Sequence, residues 1–149
     1  MLTVGDTLPT LALRTPDDAP AATALGRGGA ILYFMRSSDC PLCLGHVRAL
    51  VARASELAAI GVEVTIVVPD GPAAARQVSA AVRAPFAVVA GDDAHGVVGL
   101  RRVMFDGLHR SGTITVGKDG RVASIRRASM PFGAFNDADV SRCVAQGGC

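Results

Sequence analysis

Two thiols three residues apart, in Cys40-Pro41-Leu42-Cys43, are the residues of this chain best suited to do chemistry. On a helix that spacing puts both side chains on nearly the same side, one turn apart, so the pair can pass between dithiol and disulfide. Ser37-Ser38-Asp39 offers side-chain oxygens for a helix N-cap and Pro41 suits a first helical turn. Cys40 is therefore expected at a helix start, where unpaired N–H groups and the positive end of the dipole favour an anion. Such settings bring a thiol from a pKa near ~8.5 to about 3.5–7.5. This predicts Cys40 as nucleophile and Cys43 as resolving thiol. Acidity alone supplies little: a drop to ~6 raises the thiolate fraction at neutral pH roughly thirtyfold but lowers intrinsic nucleophilicity roughly tenfold. Donors aimed where charge develops, each typically worth about 3 kcal/mol, must add the rest, and Ser37 and a nearby arginine are the candidates.

Other readings of the same residues stay open. Cys40 and Cys43 could be small buried residues, or could hold zinc with His46 and a remote Cys143, Cys149, His95 or His109. No second Cys-X-X-Cys or histidine pair accompanies them. Cys143 reads as core on an apolar helix face and Cys149 as the end of a flexible Gly147-Gly148 tail, with a second, relaying disulfide as the alternative. No carboxylate spacing ties a histidine to a Cys-His hydrolase arrangement. Arg36 and Arg126-Arg127 could make the site electropositive or merely be solvated.

The elements that must position the dithiol are legible around it. Ala30 to Met35 is a continuous apolar run, as in a strand covered on both faces, and leads directly into the cap. Val47, Leu50, Val51, Ala54, Leu57 and Ala58 recur at helical spacing up to Gly61, which predicts one helix of about five turns. A strand over Val62 to Val68, a helix from about Ala73 to Val82 and a strand over Phe86 to Val89 follow. Gly91-Asp92-Asp93 can open a short helix through Val97 and Leu100. Thr113 to Val116 and Arg121 to Ile125 flank Gly117-Lys118-Asp119-Gly120, a hairpin signal, and Asn136-Asp137 cap a last helix. Leu8 to Leu13, alternating around Pro9, reads as a short edge strand. Strands alternating with helices predict an α/β architecture, a central mixed β-sheet with helices on both faces.

With 149 residues the chain fits one domain, 1–149, able to bury a core without disulfide or metal staples. A net charge of +2 with scattered arginines excludes nucleic acid as a main partner. No apolar run reaches eighteen residues and the start lacks a signal-peptide pattern, so no membrane association and a cytoplasmic setting are expected. In that setting four cysteines read as catalytic or metal-binding rather than as a disulfide framework.

Over nearly its whole length the sequence resembles the thioredoxin superfamily, and more closely its peroxiredoxin branch, the alkyl hydroperoxide reductase and thiol-specific antioxidant family. Val4-Gly5-Asp6-Thr7-Leu8-Pro9-Thr10-Leu11-Ala12-Leu13 is similar to the family's opening Gly-Asp-x-x-Pro-x-Phe-x-Leu, with Leu11 for the aromatic. Asp92 to Leu100 is similar to its acidic helix, and Thr113 to Val122 to its late hairpin. Ser37 holds the place of the Thr or Ser three residues ahead of the peroxidatic cysteine, while Tyr33 stands where the family has proline. Arg110 lies within a residue of the family's arginine before the late strand, and Ser111 is the gapless match.

The resemblance implies a thioredoxin-like fold and a thiol peroxidase without metal or organic cofactor. Cys40 would become a sulfenic acid, Ser37 would hydrogen-bond the peroxide, and Arg110 would support the thiolate. Cys43 would resolve the sulfenic acid, and an external thiol reductant such as a thioredoxin-like protein would restore the dithiol. It also leaves room for a homodimer. A thiol-disulfide oxidoreductase using the same Cys-X-X-Cys is the alternative, although such enzymes usually carry a cis-proline opposite the dithiol and none stands near Arg110 to Thr113. A non-enzymatic redox-sensing or zinc-holding module is the third reading.

Overall fold

The computed structural model describes residues 1–101, 109–129 and 131–149. An interior strand, β3 (Gly29–Phe34), is the run expected to feed the dithiol, and every residue of it is buried. After β3 come α1 (Pro41–Ala52), α2 (Ala54–Ala59), β4 (Val62–Val68), α3 (Pro72–Val82) and β5 (Ala87–Gly91). Both β3–β4 and β4–β5 are parallel pairs, joined by helical crossovers. A four-residue α4 (Ala94–Val97) precedes the hairpin of β6 (Ser111–Val116) and β7 (Val122–Ala128), and α5 (Asp137–Gln146) closes the order. With the two-residue strands β1 (Leu13–Arg14) and β2 (Pro20–Ala21), the described residues form one mixed sheet in the order β2-β1-β5-β4-β3-β6-β7.

Period-two alternation divides the continuous apolar strands between two cores. Ile31, Tyr33 and Met35 of the β3 run, with Val64, Ile66 and Val68 of β4, face α1, α2, α3 and α5. Leu32, Phe34 and Val67 face the other way, against Leu2, Leu11, Leu13, Ala94, Val98 and Leu100. That second face is covered by the short α4 and the N-terminal segment, where Leu11 and Leu13 are buried without the Leu8 to Leu13 edge strand the alternation predicts. Only Leu13–Arg14 pairs, with β5 and β2. Upstream, the segment is held by single bonds such as Gly5 N–H to Val122 O and Leu8 N–H to Gly120 O. Pro9 interrupts any ladder by lacking a donor.

The expected five-turn helix is broken at Arg53, whose N–H bonds back to Leu50 O in a tightened turn. The break coincides with a tertiary anchor, since the Arg53 guanidinium donates to Glu56, to Asp137 and to Ser141. At the C-terminus the tail predicted to be flexible is tied down. Gly147 adopts φ 72° as the α5 cap, Gly148 N–H bonds to Cys143 O, and Cys149 N–H bonds to Gly28 O at the foot of β3. Cys143 and Cys149 form a disulfide.

Candidate active site

The dithiol sits where β3 runs into α1, as the sequence predicts, but the cap is different. Cys40 itself is the N-cap of α1, with extended backbone, and its sulfur accepts the Cys43 N–H at 3.4 Å. Neither Ser37, Ser38 nor Asp39 caps the helix. Ser37 is buried and donates its hydroxyl to Asp39 Oδ1 at 2.8 Å, while Ser38 N–H is taken by Asp70 Oδ2 at 2.6 Å from the end of β4. This arrangement folds the loop tightly between strand and helix. It also leaves the first α1 amides free to face the Cys40 sulfur, the place an N-cap oxygen normally holds.

The two free cysteines differ in access: Cys40 is half-buried and Cys43 is fully buried beneath it. The expected acidification of Cys40 does not appear. Its thiol is raised above the ordinary value, first by burial and then by the neighbouring Cys43 side chain, while the Cys43 and Leu42 backbone amides act in the opposite direction. Desolvation of the thiolate outweighs the helix-start field because the sulfur that accepts the amides is itself drawn partly out of water.

Around Cys43 the structure brings together residues far apart in sequence. Arg36 N–H donates to Cys43 Sγ at 3.4 Å. The Ser111 hydroxyl lies 3.9 Å from the same sulfur, 2.8 Å from Phe34 O and 3.2 Å from the Tyr33 hydroxyl. Tyr33 in turn lies 2.8 Å from His46 Nδ1, and the His46 ring packs against Phe135 with centroids 5.2 Å apart. Burial holds the Tyr33 phenol well above its ordinary range, so it remains a proton donor at neutral pH, and burial lowers His46, which remains neutral there. Below the loop, His95 Nε2 lies 2.7 Å from Met35 O and fixes the last carbonyl before the turn.

Arg110 directly precedes Ser111; its Nε is buried and makes no hydrogen bond among the described residues. Arg126 and Arg127 are engaged elsewhere, Arg126 with Asp139 of α5 and Arg127 with the carbonyls of Val98 and Leu2. The zinc set does not assemble: no group of three or more His, Cys, Asp or Glu that could hold a metal occurs among the described residues. Cys149 is bonded at the foot of β3, whereas the dithiol lies beyond its other end. Six strand residues at about 3.3 Å each put the disulfide roughly 20 Å from Cys40, too far for direct exchange within the folded chain.

Tyr33 and Ser111 were the contacts least visible in the sequence. One signal for each was present: a lone tyrosine in an aliphatic buried strand must find a partner for its hydroxyl, and Ser111 is the gapless match to a family site position.

A half-buried cysteine capping a helix, with a buried second thiol one turn on, on a mixed sheet of thioredoxin-like topology, defines a thiol-dependent oxidoreductase. Residues 4–125 match the family model described as the AhpC/TSA family, and the chain belongs to that family of peroxiredoxin-like thiol peroxidases. Among solved structures, a peroxiredoxin-like protein from Aquifex aeolicus superimposes with a TM-score of 0.80 at 19% identity, over 98% of this chain and 88% of that one. Prx3 from Vibrio vulnificus, reduced and in complex with hydrogen peroxide, gives 0.78 at 19% identity over 99% of both chains. Peroxidoxin BcpB from Mycobacterium tuberculosis gives 0.77 at 18% identity, over 99% of this chain and 97% of that one. No curated protein sequence matches the chain. No helix among the described residues is long and apolar enough to cross a membrane.

Proposed function

We propose that this enzyme reduces hydroperoxides through Cys40. The Cys40 thiolate attacks the outer peroxide oxygen, the O–O bond breaks, and an alcohol or water leaves as Cys40 becomes a sulfenic acid. Cys43 then displaces the sulfenic oxygen as water and forms the Cys40–Cys43 disulfide, which an external dithiol reductant such as a thioredoxin-like protein reopens. The observation that carries this reading is the asymmetry of the pair. Cys40 is partly accessible and receives the Cys43 amide, whereas Cys43, one helical turn on, is fully buried. Ser37 is assigned as donor to the bound peroxide, which requires its hydroxyl to leave Asp39, and Arg110 as the cation that supports the Cys40 thiolate.

Mass spectrometry after one equivalent of hydroperoxide tests the assignment. The wild type should lose two hydrogens to a Cys40–Cys43 disulfide, Cys43→Ser should stop at a Cys40 sulfenic acid, and Cys40→Ser should not react. Oxidation of Cys43 ahead of Cys40, or no peroxide consumption by the wild type, would overturn it.

A further inference from the structure

Cys43 must lose a proton before it can attack Cys40, yet it is fully buried, and so is Ser111 beside it. Water cannot take that proton directly. We infer that Ser111, Tyr33 and His46 form a proton relay that carries the Cys43 proton out of the core to the half-buried His46 imidazole. This inference rests on the reading that Cys43 is the resolving thiol.

The geometry gives the chain one consistent direction. Cys43 S–H can donate to Ser111 Oγ over 3.9 Å, Ser111 O–H donates to Tyr33 Oη over 3.2 Å, and Tyr33 O–H donates to His46 Nδ1 over 2.8 Å. In the resting state the single Ser111 hydrogen is shared with Phe34 O at 2.8 Å, so transfer needs only a rotation of that hydroxyl. One element supplies each link: β6 gives Ser111, β3 gives Tyr33, and α1 gives both Cys43 and His46. The β3–β6 register pairs Tyr33 with Thr113 and Phe34 with Gly112, so Ser111, two residues from Thr113 on β6, points to the same face as Tyr33.

The step balances as follows. The Cys43 proton moves to Ser111 as the Ser111 hydrogen moves to Tyr33 and the Tyr33 hydrogen to His46 Nδ1, leaving Cys43 as thiolate and His46 as imidazolium. The thiolate pair forms the S–S bond with Cys40, the S–O bond of the sulfenic acid breaks, and hydroxide leaves and is protonated by solvent to water. His46, partly exposed, returns its proton to solvent. The titratable groups that face this path are Tyr33 from β3 and Cys40 and Cys43 from the start of α1. Phe135 covers the His46 ring, and no ion pair to His46 occurs among the described residues. Burial depresses His46 below the ordinary histidine value, so the acceptor is empty at neutral pH.

The test uses a chromogenic aryl disulfide, which needs no peroxide. Cys40 attacks it with a first release of aryl thiolate, and Cys43 then attacks the mixed disulfide with a second release. Tyr33→Phe and His46→Asn should leave the first release within about twofold of wild type and slow the second roughly a hundredfold at pH 7, the lower end of what general-base help supplies. The double variant should be no slower than either single one, as expected of residues in one chain. In wild type the second release should fall only as pH drops through the depressed His46 range, whereas in either variant it should rise about tenfold per pH unit. Free imidazole should restore the second release in His46→Ala.

Additive effects, equal slowing of both releases, or an unchanged second release would overturn the relay. Because the probe bypasses peroxide, a wild type that gives this pattern without consuming hydroperoxide would overturn the peroxidase reading and uphold the relay. A wild type that consumes hydroperoxide with an unaffected second release in the variants would do the reverse.

Discussion

Acidification should destabilise this protein through one buried histidine before its carboxylates begin to titrate. His95 is 1% exposed, packs edge-on against Phe34 with ring centroids 5.2 Å apart, and hydrogen-bonds Met35 O through Nε2. Burial is the largest cause pushing it down to about 4; the His109 ring beside it adds to this, while the Met35 bond and Asp70 oppose it. The unfolded chain takes up this proton near the ordinary value of 6.5, whereas the folded one resists it until about 4. The contribution is therefore complete above about pH 6.5 and is lost as pH falls toward 4. A difference of roughly 2.5 units at 1.36 kcal/mol each amounts to about 3 kcal/mol, a large share of a domain stability of about 5–15 kcal/mol. Asp139, lowered first by its Arg126 hydrogen bond, has the opposite proton chemistry and gives way only below its ordinary value of 3.8, so the two windows are separate. His46 shifts in the same direction as His95, so the comparison must be made against a variant. Urea unfolding from pH 7.5 to pH 4 should show the wild type losing about 3 kcal/mol more than His95→Gln, whose amide can still donate to Met35 O but does not titrate. Two curves running parallel to within about 0.5 kcal/mol would refute the argument that His95 is held neutral by burial.

Three further outcomes follow, two from the site and one from the tail. Because burial raises Cys40, its alkylation rate should keep climbing with pH through and beyond the ordinary thiol range; a plateau near neutral pH would mean that the helix-start amides dominate. Ser37→Ala should slow oxidation of Cys40 by hydroperoxide far more than this alkylation, since only the peroxide needs an aligned donor, whereas equal slowing would reduce Ser37 to a partner of Asp39. Cys149→Ser should cost about 2 kcal/mol of stability, from opening a loop with a sequence separation of 6, while leaving the first reaction of Cys40 unchanged. A loss of Cys40 reactivity in that variant would contradict the separation of the two cysteine pairs along β3.

Local pattern made most of the frame legible. The apolar runs of β3 and β4, the helical spacing of Val47, Leu50 and Leu57, the Gly117 to Gly120 turn and the Asn136 cap depend on neighbours within one element, and each appears within a few residues of its expected place. Three misreadings of the frame coincide with partners from elsewhere. The break at Arg53 coincides with Asp137 and Ser141 of α5, Leu11 is buried by the far face of the sheet rather than by a ladder, and the tail is ordered by Gly28.

The sequence by itself determined that a Cys-X-X-Cys dithiol would stand at a strand-to-helix junction of an α/β fold, because spacing, proline and periodicity are local and set backbone direction. It also determined that Cys40 would come first on that helix. Only the tertiary structure decided how acidic Cys40 is, since burial depends on everything packed around the sulfur and here outweighs the amides of its own helix. The surroundings of Cys43 were decided there too. Ser111 lies 78 residues from Tyr33 and 68 from Cys43, and it reaches them because the β3–β6 register turns it to the inner face; a slip of one residue would turn it to the opposite face.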